Sequence, residues 1–220
     1  MISKLPKWVE VGGFLLALNA GYINAVGVLG LNHQSISHLT GSSTLLSIEI
    51  ASVNLQGITH LLIVILSFVL GAATSGAIVG NVALKLGRRY SLALMLESIL
   101  LFVALFLLNK EMLAGHFFAS AACGLQNAMM SSYSGAVVRT THVSGIFTDI
   151  GIMLGLRVRG KKIDMRKLTL FLILITGFIL GGIFGAILFL KMHFSALILP
   201  CVLTATIACM YWLYGHNATK

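Results

Sequence analysis

Several residues of this chain that could do chemistry lie inside long apolar runs. Glu97, Asp149 and Glu49 are acidic side chains within such runs. A carboxylate in apolar surroundings is costly, so it faces a partner or a cavity, where it can bind a proton or a solute. Asp149 follows His142 by seven residues, about two helical turns, so the two share a helix face. Arg139 precedes them and is a candidate counter-charge or contact for an anionic solute.

Each of these charged groups also has a purely structural interpretation. Arg139 and Asp149 could neutralise each other without binding a solute. Glu97 could pair with an arginine instead of exchanging a coupling proton. Glu49 is expected to reach only the interface of the apolar layer. The choice depends on which elements carry these residues.

A second set of polar residues belongs to a motif that occurs twice, His-Leu-Thr-Gly at 38–41 and His-Val-Ser-Gly at 142–145. Its hydroxyl residues are good helix N-caps, and a helix N-terminus offers N–H donors and partial positive charge to an anion. The alternative is that the hydroxyls only cap the helices and the histidines only pack. Two histidines without a cysteine or carboxylate pair are a poor metal site, so no metal or other cofactor is expected. The candidate solute contacts here are His38, Thr40, Ser42, His142, Ser144 and Thr148.

These motifs are part of an internal repeat. Gly-Tyr-Ile-Asn-Ala at 21–25 recurs as Gly-Leu-Gln-Asn-Ala at 124–128, and Phe-Val-Leu-Gly at 68–71 recurs as Phe-Ile-Leu-Gly at 178–181. The first pair makes Asn24 and Asn127 equivalent, and both could add uncharged hydrogen bonds to a central site. We therefore treat residues 1–220 as a single membrane domain with repeat halves 8–110 and 111–215.

The composition excludes a soluble globule. Of the 220 residues, 58% are hydrophobic and the mean hydropathy is +0.98, against about 45–50% apolar residues in soluble domains. Each half contains four apolar stretches, but the second stretch of each has only 16 residues, too short to cross a bilayer comfortably. We predict that these segments, about 37–53 and 141–157, are re-entrant.

The basic residues support this topology and argue against nucleic-acid binding. With six spans and two re-entrant segments, 13 of the 15 Lys and Arg residues lie on the cytoplasmic side, against 10 if all eight stretches cross. Three spans per half invert the second half relative to the first. The predicted fold is an all-α polytopic membrane protein with six transmembrane helices and two re-entrant half-helices in an inverted-topology repeat, whose tips converge at the midplane. Both termini are expected in the cytoplasm.

Small-residue stripes predict close helix packing, within the monomer or in a homo-oligomer. Gly177, Gly181 and Gly185 form one stripe, and Ala72, Gly76 and Gly80 form the other. The expected partners are otherwise membrane lipids and a small-molecule solute.

The chain resembles the YoaK family of bacterial inner-membrane proteins. The resemblance covers nearly the whole chain and is carried by residues 21–26, 37–41 and above all 138–151, with Arg-Thr-Thr-His followed by Gly and Thr-Asp. It implies a small polytopic protein of the bacterial inner membrane, without an assigned substrate. The sequence departs from relatives in having Asn24 where they often have Asp.

The function expected from these features is a secondary transporter or facilitator of a small anionic or zwitterionic solute. The solute site would lie between the two re-entrant tips, with Asp149, Glu97, His38 and His142 as candidate protonation sites. A passive channel, or a non-transporting adaptor or subunit, is the alternative. No enzyme is expected, because GxSxG, HExxH and P-loop motifs and close catalytic carboxylate pairs are absent from the sequence.

Overall fold

A computed structural model describes residues 7–31, 34–80, 88–134 and 140–217. All regular secondary structure in these residues is helical. The helices are α1 (Lys7–Gly30), α2 (Leu39–Ala51), α3 (Leu55–Val79), α4 (Arg88–Leu108), α5 (Ala114–Ser134), α6 (Val143–Val158), α7 (Met165–Met192) and α8 (Ile198–Asn217), with a 3-10 turn at His193–Leu197 between the last two.

The long helices are apolar on their outer faces as well as inside. Four stretches of the described chain are long and apolar enough to cross a membrane: Glu10–Gly30, Leu55–Val79, Arg89–Leu108 and Met165–Leu213, the last of which contains both α7 and α8. Leu70 is 66% exposed and Leu190 73% exposed, although both lie in these stretches. Apolar side chains facing outward along long helices indicate a membrane protein.

Glycines bring two pairs of helices into backbone contact. A methyl group on Gly181 would collide with the carbonyl of Leu18, and one on Gly21 with that of Phe178, so α1 and α7 approach closely. Gly71 and Gly124 make the same reciprocal contact between α3 and α5, against the carbonyls of Ala121 and Phe68. Only glycine fits at such an approach.

The predicted glycine stripes are therefore only partly used in this way. The stripe on α7 packs against α1 within the chain, with Gly177, Gly181 and Gly185 facing Phe14, Leu18 and Tyr22. Gly76, by contrast, has open space where a side chain would be, so it makes no close helix contact within the described chain. The close contact of that helix is made by Gly71 instead.

The register of these contacts gives the helix directions. Ascending positions on α1 meet ascending positions on α7, and His60, Val64 and Phe68 of α3 meet His116, Ser120 and Gly124 of α5, so both pairs are parallel. On α4 and α8 the order reverses: Ser91 donates to the carbonyl of Ala208 at 2.7 Å, and Ser98 donates to that of Cys201 at 2.8 Å. These two helices are antiparallel.

Two helices are much shorter than the rest. α2 has 13 residues and α6 has 16, which correspond to about 20 and 24 Å of helix. Each follows a non-helical segment, and His38 and His142 occupy the N-cap positions with similar backbone angles (φ −91° and −89°). The expectation that Thr40, Ser42 or Ser144 would cap these helices is wrong, because all three lie inside the first turns.

Candidate functional site

The two histidine motifs line one cavity. Its volume is about 100 Å³, enough for a few water molecules or one small polar group. The lining residues are Ser37, His38, Leu39, Thr40, Phe68, Asn127, Thr141, His142 and Ser144. We call this space the tip cavity. Both α2 and α6 begin at it, so the partial positive charge and N–H groups of two helix N-termini face the same small volume.

Asparagines on the preceding helices hold the segments that lead into the tips. Asn24 of α1 donates to Ser37 Oγ at 2.6 Å, while its Oδ1 accepts from Ser35 Oγ at 2.7 Å and from the Ser37 backbone N–H at 3.0 Å. In the second half, Asn127 Oδ1 accepts from Thr141 Oγ1 at 3.2 Å. Each asparagine therefore fixes the residue directly before a tip histidine. Asn127 also lines the cavity, whereas Asn24 does not.

The hydroxyl residues divide between the cavity and the helices. Thr40 and Ser144, in equivalent positions, both line the cavity. Ser42 is buried at the end of the first turn of α2 and does not line the cavity. Thr148 donates to the carbonyl of Ser144 at 3.0 Å, one turn back in its own helix. The structure therefore brings two of the four predicted hydroxyls to the tip cavity.

Glu97 is fully buried among amides from other helices. Its Oε1 accepts from Asn19 Nδ2 at 3.1 Å, and the same nitrogen lies 3.0 Å from Gln126 Oε1. Gln126 Nε2 in turn donates to Thr140 Oγ1 at 3.1 Å and to the carbonyl of Leu16 at 2.9 Å. We call Glu97, Asn19, Gln126 and Thr140 the buried polar chain. Its last members adjoin Asn127 and Thr141 in sequence, both of which line the tip cavity.

The buried polar chain contains acceptors without donors. Among the residues that the structure describes, Glu97 Oε2 and Asn19 Oδ1 are buried and have no hydrogen-bond partner. Buried polar atoms are paired in nearly all cases, so two unpaired oxygens in one cluster mark a place where a proton, water or ion can be taken up.

The remaining charged candidates lie elsewhere. Asp149 forms a salt bridge with Lys167, at 3.3 Å between Oδ2 and Nζ, and both side chains are partly exposed. It does not line the tip cavity. Its predicted counter-charge, Arg139, lies outside the described residues. The carboxylate of Glu49, near the end of α2, packs on Gly57.

The structure also contains polar residues that the sequence reasoning passed over. Asn19 belongs to the buried polar chain. His60 and His116 lie near the N-terminal ends of α3 and α5, with 3.1 Å between Nε2 of His60 and Nδ1 of His116. The signal that selected Glu97, a polar residue within an apolar run, applies to all three. In the described part of the chain, no three His, Cys, Asp or Glu side chains lie together as metal ligands.

Comparison with known proteins places this arrangement in a family. The model of DUF1275, a family described as proteins of unknown function, matches residues 12–210. No curated protein matches the chain. No solved structure matches it. The family match agrees with the YoaK resemblance, because the YoaK family is a DUF1275 family. The helical, apolar chain described here therefore belongs to the DUF1275 family.

Proposed function

We propose that the protein is a secondary transporter or facilitator of a small solute across the bacterial inner membrane, and that the solute passes through the tip cavity. One observation carries this proposal: equivalent residues of the two halves, His38 with Thr40 and His142 with Ser144, line the same cavity. Non-helical backbone at membrane depth is tolerated where protein buries it or where it lines a wet cavity. Transporters use helix ends at such a point to bind solutes and ions.

The helix directions support six spans with α2 and α6 as re-entrant segments. If both short helices crossed the membrane, α4 and α8 would each be the last of four spans in its half and would run in the same direction. The hydrogen bonds between them require opposite directions. If only one short helix crossed, α1 and α7 would be antiparallel, whereas their glycine contacts are in parallel register. If neither short helix crosses, the expected directions agree with the contacts of all three pairs, α1 with α7, α3 with α5, and α4 with α8.

The same contacts support an inverted repeat. By the sequence repeat, α1 corresponds to α5 and α3 corresponds to α7. The α1/α7 pair uses Gly21 and Gly181, and the α5/α3 pair uses their equivalents Gly124 and Gly71. Each half therefore supplies one helix to each pair, as a two-fold axis in the membrane plane would produce.

The chemistry of the tip cavity favours an anionic or zwitterionic solute. Its described lining contains hydroxyls, imidazoles and an amide but no Lys, Arg, Asp or Glu. The two helix N-termini supply the electrostatic character, and they favour a carboxylate or another oxyanion. At about 100 Å³, the cavity admits the charged group of a solute better than a bulky side chain.

We further propose that Glu97 binds the coupling proton. A proton on Glu97 would turn Oε2, a buried acceptor without a donor among the described residues, into a donor. Because Asn19, Gln126 and Thr140 connect this carboxyl to the segment that precedes His142, a change at Glu97 would alter the hydrogen bonds that hold the second tip.

Cysteine labelling in intact cells tests the topology. With the N-terminus in the cytoplasm, six spans place Val53 and Lys110 on the outer side, whereas eight spans place both inside. Lys161 is inside and Lys191 is outside in either topology. All four positions are exposed. We expect a membrane-impermeant maleimide to label cysteines at 53, 110 and 191, and to miss the one at 161. Protection of both 53 and 110 would refute the re-entrant segments.

Uptake into proteoliposomes tests transport through the tip cavity. The probes are radiolabelled acetate, lactate and glycine, with glycerol as an uncharged comparison. We expect uptake of at least one charged probe. The double variant His38→Ala/His142→Ala should lose about a hundred-fold or more, since each of the two removed contacts to a charged group is worth about 1.5–3 kcal/mol. Thr44→Ala is the control, because Thr44 is exposed on α2 and its hydroxyl donates to the carbonyl of Thr40 within the same helix. Wild-type uptake by the double variant would contradict the site.

Glu97→Gln separates coupled transport from a passive channel. Glutamine retains the acceptor for Asn19 but cannot exchange a proton. We expect uptake in the variant to lose its response to an imposed proton gradient. The control is Ser75→Ala, because Ser75 is also buried and polar but lies on α3, outside the buried polar chain; it should leave the response intact. An unchanged gradient response in Glu97→Gln would contradict the coupling role. Uptake that never responds to the gradient in wild type would favour a passive channel.

A further inference from the structure

A second polar cavity lies where α1 ends and where α3 and α5 begin. Its volume is about 230 Å³. His60, which lines it, precedes Phe68 of the tip cavity by eight residues on α3, or about 12 Å of helix. We call it the imidazole cavity. Its lining residues are Gly30, Leu31, Gln34, Asn54, Gln56, Gly57, His60, Leu113 and His116.

Two buried polar atoms of the imidazole cavity have no partner among the described residues. One is Nε2 of His116, a residue only 1% exposed, and the other is Oε1 of Gln34. The other ring nitrogen of His116 is already engaged with His60 at 3.1 Å. When His60 supplies the hydrogen of that bond, His116 carries its own hydrogen on Nε2 and can donate it to a ligand. Gln34 Oε1 requires a donor.

Helix ends give this cavity an electric polarity. The parallel helices α3 and α5 both begin at the cavity. The carboxylate of Glu49 already packs on Gly57 of α3, whereas α5 presents its N-terminus to the cavity through His116. Gly30, which also lines the cavity, is the last residue of α1. Helix N-termini attract anionic groups and C-termini attract cationic groups, so the cavity offers a helix end to each.

An apolar groove adjoins the cavity and shares three of its residues. The groove has a volume of about 460 Å³ and is lined mainly by apolar side chains. The lining residues of the groove are Leu55, Gln56, Thr59, His60, Ile63, Leu113 and Phe117. A ligand in the imidazole cavity can therefore extend an apolar part along α3.

We propose that the imidazole cavity binds the zwitterionic head of a small amphiphilic molecule. The anionic group lies against the N-terminus of α5 and His116, away from the Glu49 carboxylate on Gly57, and the ammonium group lies against Gln34 Oε1 and the end of α1. The apolar part occupies the adjoining groove. A free amino acid with an apolar side chain and a lipid with a phosphoethanolamine headgroup both have this chemistry. This binding does not depend on the proposed transport activity.

Thermal unfolding of the purified protein in detergent tests the proposal. The first arm compares L-leucine with 4-methylpentanoate, which lacks the ammonium group, and with 3-methylbutylamine, which lacks the carboxylate. The second arm compares phosphatidylethanolamine with phosphatidylglycerol, which has the same acyl chains but no ammonium group. We expect L-leucine or phosphatidylethanolamine to raise the unfolding temperature in a saturable way, and the comparison compounds to have little effect. The responding arm identifies the source of the zwitterion.

A matched pair of variants assigns the binding to this cavity. Gln34→Leu removes the acceptor for the ammonium group and should weaken binding about ten-fold. Asn109→Leu, at an exposed position outside both cavities, should leave it unchanged. If Gln34→Leu does not fold, Gln34→Glu keeps the size and adds a charge, so it should bind more tightly. No response in either arm, an equal response to 4-methylpentanoate, or unchanged affinity in the Gln34 variants would overturn the proposal.

Discussion

Asn24 offers a direct test of how the first tip is held in place. The residue is buried, at 6% exposure, and three hydrogen bonds connect it to Ser35 and Ser37. A typical hydrogen bond contributes about 1 kcal/mol net, and a buried N–H left without a partner costs about 1–3 kcal/mol. Asn24→Ala removes all three bonds and leaves the Ser37 N–H unpaired. We expect it to destabilise the protein by about 3 kcal/mol.

Asn24→Asp should behave differently, although it introduces a charge. The Ser37 hydroxyl, which accepts from the amide at 2.6 Å, can rotate and donate to a carboxylate instead. The Ser35 hydroxyl and the Ser37 N–H already donate to Oδ1. Three donors would then surround the carboxylate, so we expect a loss of less than about 1 kcal/mol. The YoaK resemblance, with Asp often at this position, agrees with that expectation.

Asn127→Ala is the matched comparison in the other half. Its described tertiary hydrogen bond is the single contact from Thr141 at 3.2 Å, so the expected loss is about 1 kcal/mol. For a chain of this size, 1 kcal/mol corresponds to about 2–4 °C in the unfolding temperature. The predicted decreases are therefore about 6–12 °C for Asn24→Ala and about 2–4 °C for Asn127→Ala.

The buried cysteines provide the assay. Cys123 and Cys201 are buried, so a thiol-reactive fluorophore reports unfolding, and Cys209→Ser removes the exposed thiol that would give background. The reasoning would be refuted if Asn24→Ala unfolded at the same temperature as Asn127→Ala. It would equally fail if Asn24→Asp were as damaging as Asn24→Ala, since the hydrogen bonds would then not be what holds the tip.

Three further predictions concern packing and surface charge. Gly181→Ala should cost about 3 kcal/mol or more, because its methyl group meets a backbone carbonyl of α1, whereas Gly182→Ala should be nearly neutral, as checked by thermal unfolding. Asp149→Asn should lower stability by less than about 1 kcal/mol in chemical denaturation, because its salt bridge with Lys167 is partly exposed. Maleimide should modify Cys209 alone in the folded protein, as mass spectrometry of the labelled chain would show.

The sequence predicts the elements of this fold better than their exact ends. The repeated motifs lie at the starts of two short helices, and these helices, Leu39–Ala51 and Val143–Val158, lie within or close to the predicted segments 37–53 and 141–157. The predicted capping residues were wrong because the two helices begin before Thr40, Ser42 and Ser144. Here Asn24 and Asn127 fix the preceding segments, and the histidines take the cap positions without capping bonds from their side chains.

Contacts that depend on tertiary structure were harder to predict. Lys167 lies 18 residues after Asp149, across a loop, so helical spacing gave no indication of their salt bridge. His60 and His116 have no equivalent histidines in the other half, so a search for repeated motifs did not select them. Glu97 could be predicted because a carboxyl in an apolar run is unusual. Its partner Asn19 is uncharged, so its place in an apolar run is a weaker signal.

The exchange of helices between the halves has a consequence for biosynthesis. α1 leaves the ribosome before the other described helices, yet its glycine-packed partner, α7, begins only at Met165. α1 must therefore remain in the bilayer without its closest neighbour until α2 to α6 have been made. A lone first half would leave the glycine faces of both α1 and α3 uncovered, so the two halves are expected to become stable together and not one after the other.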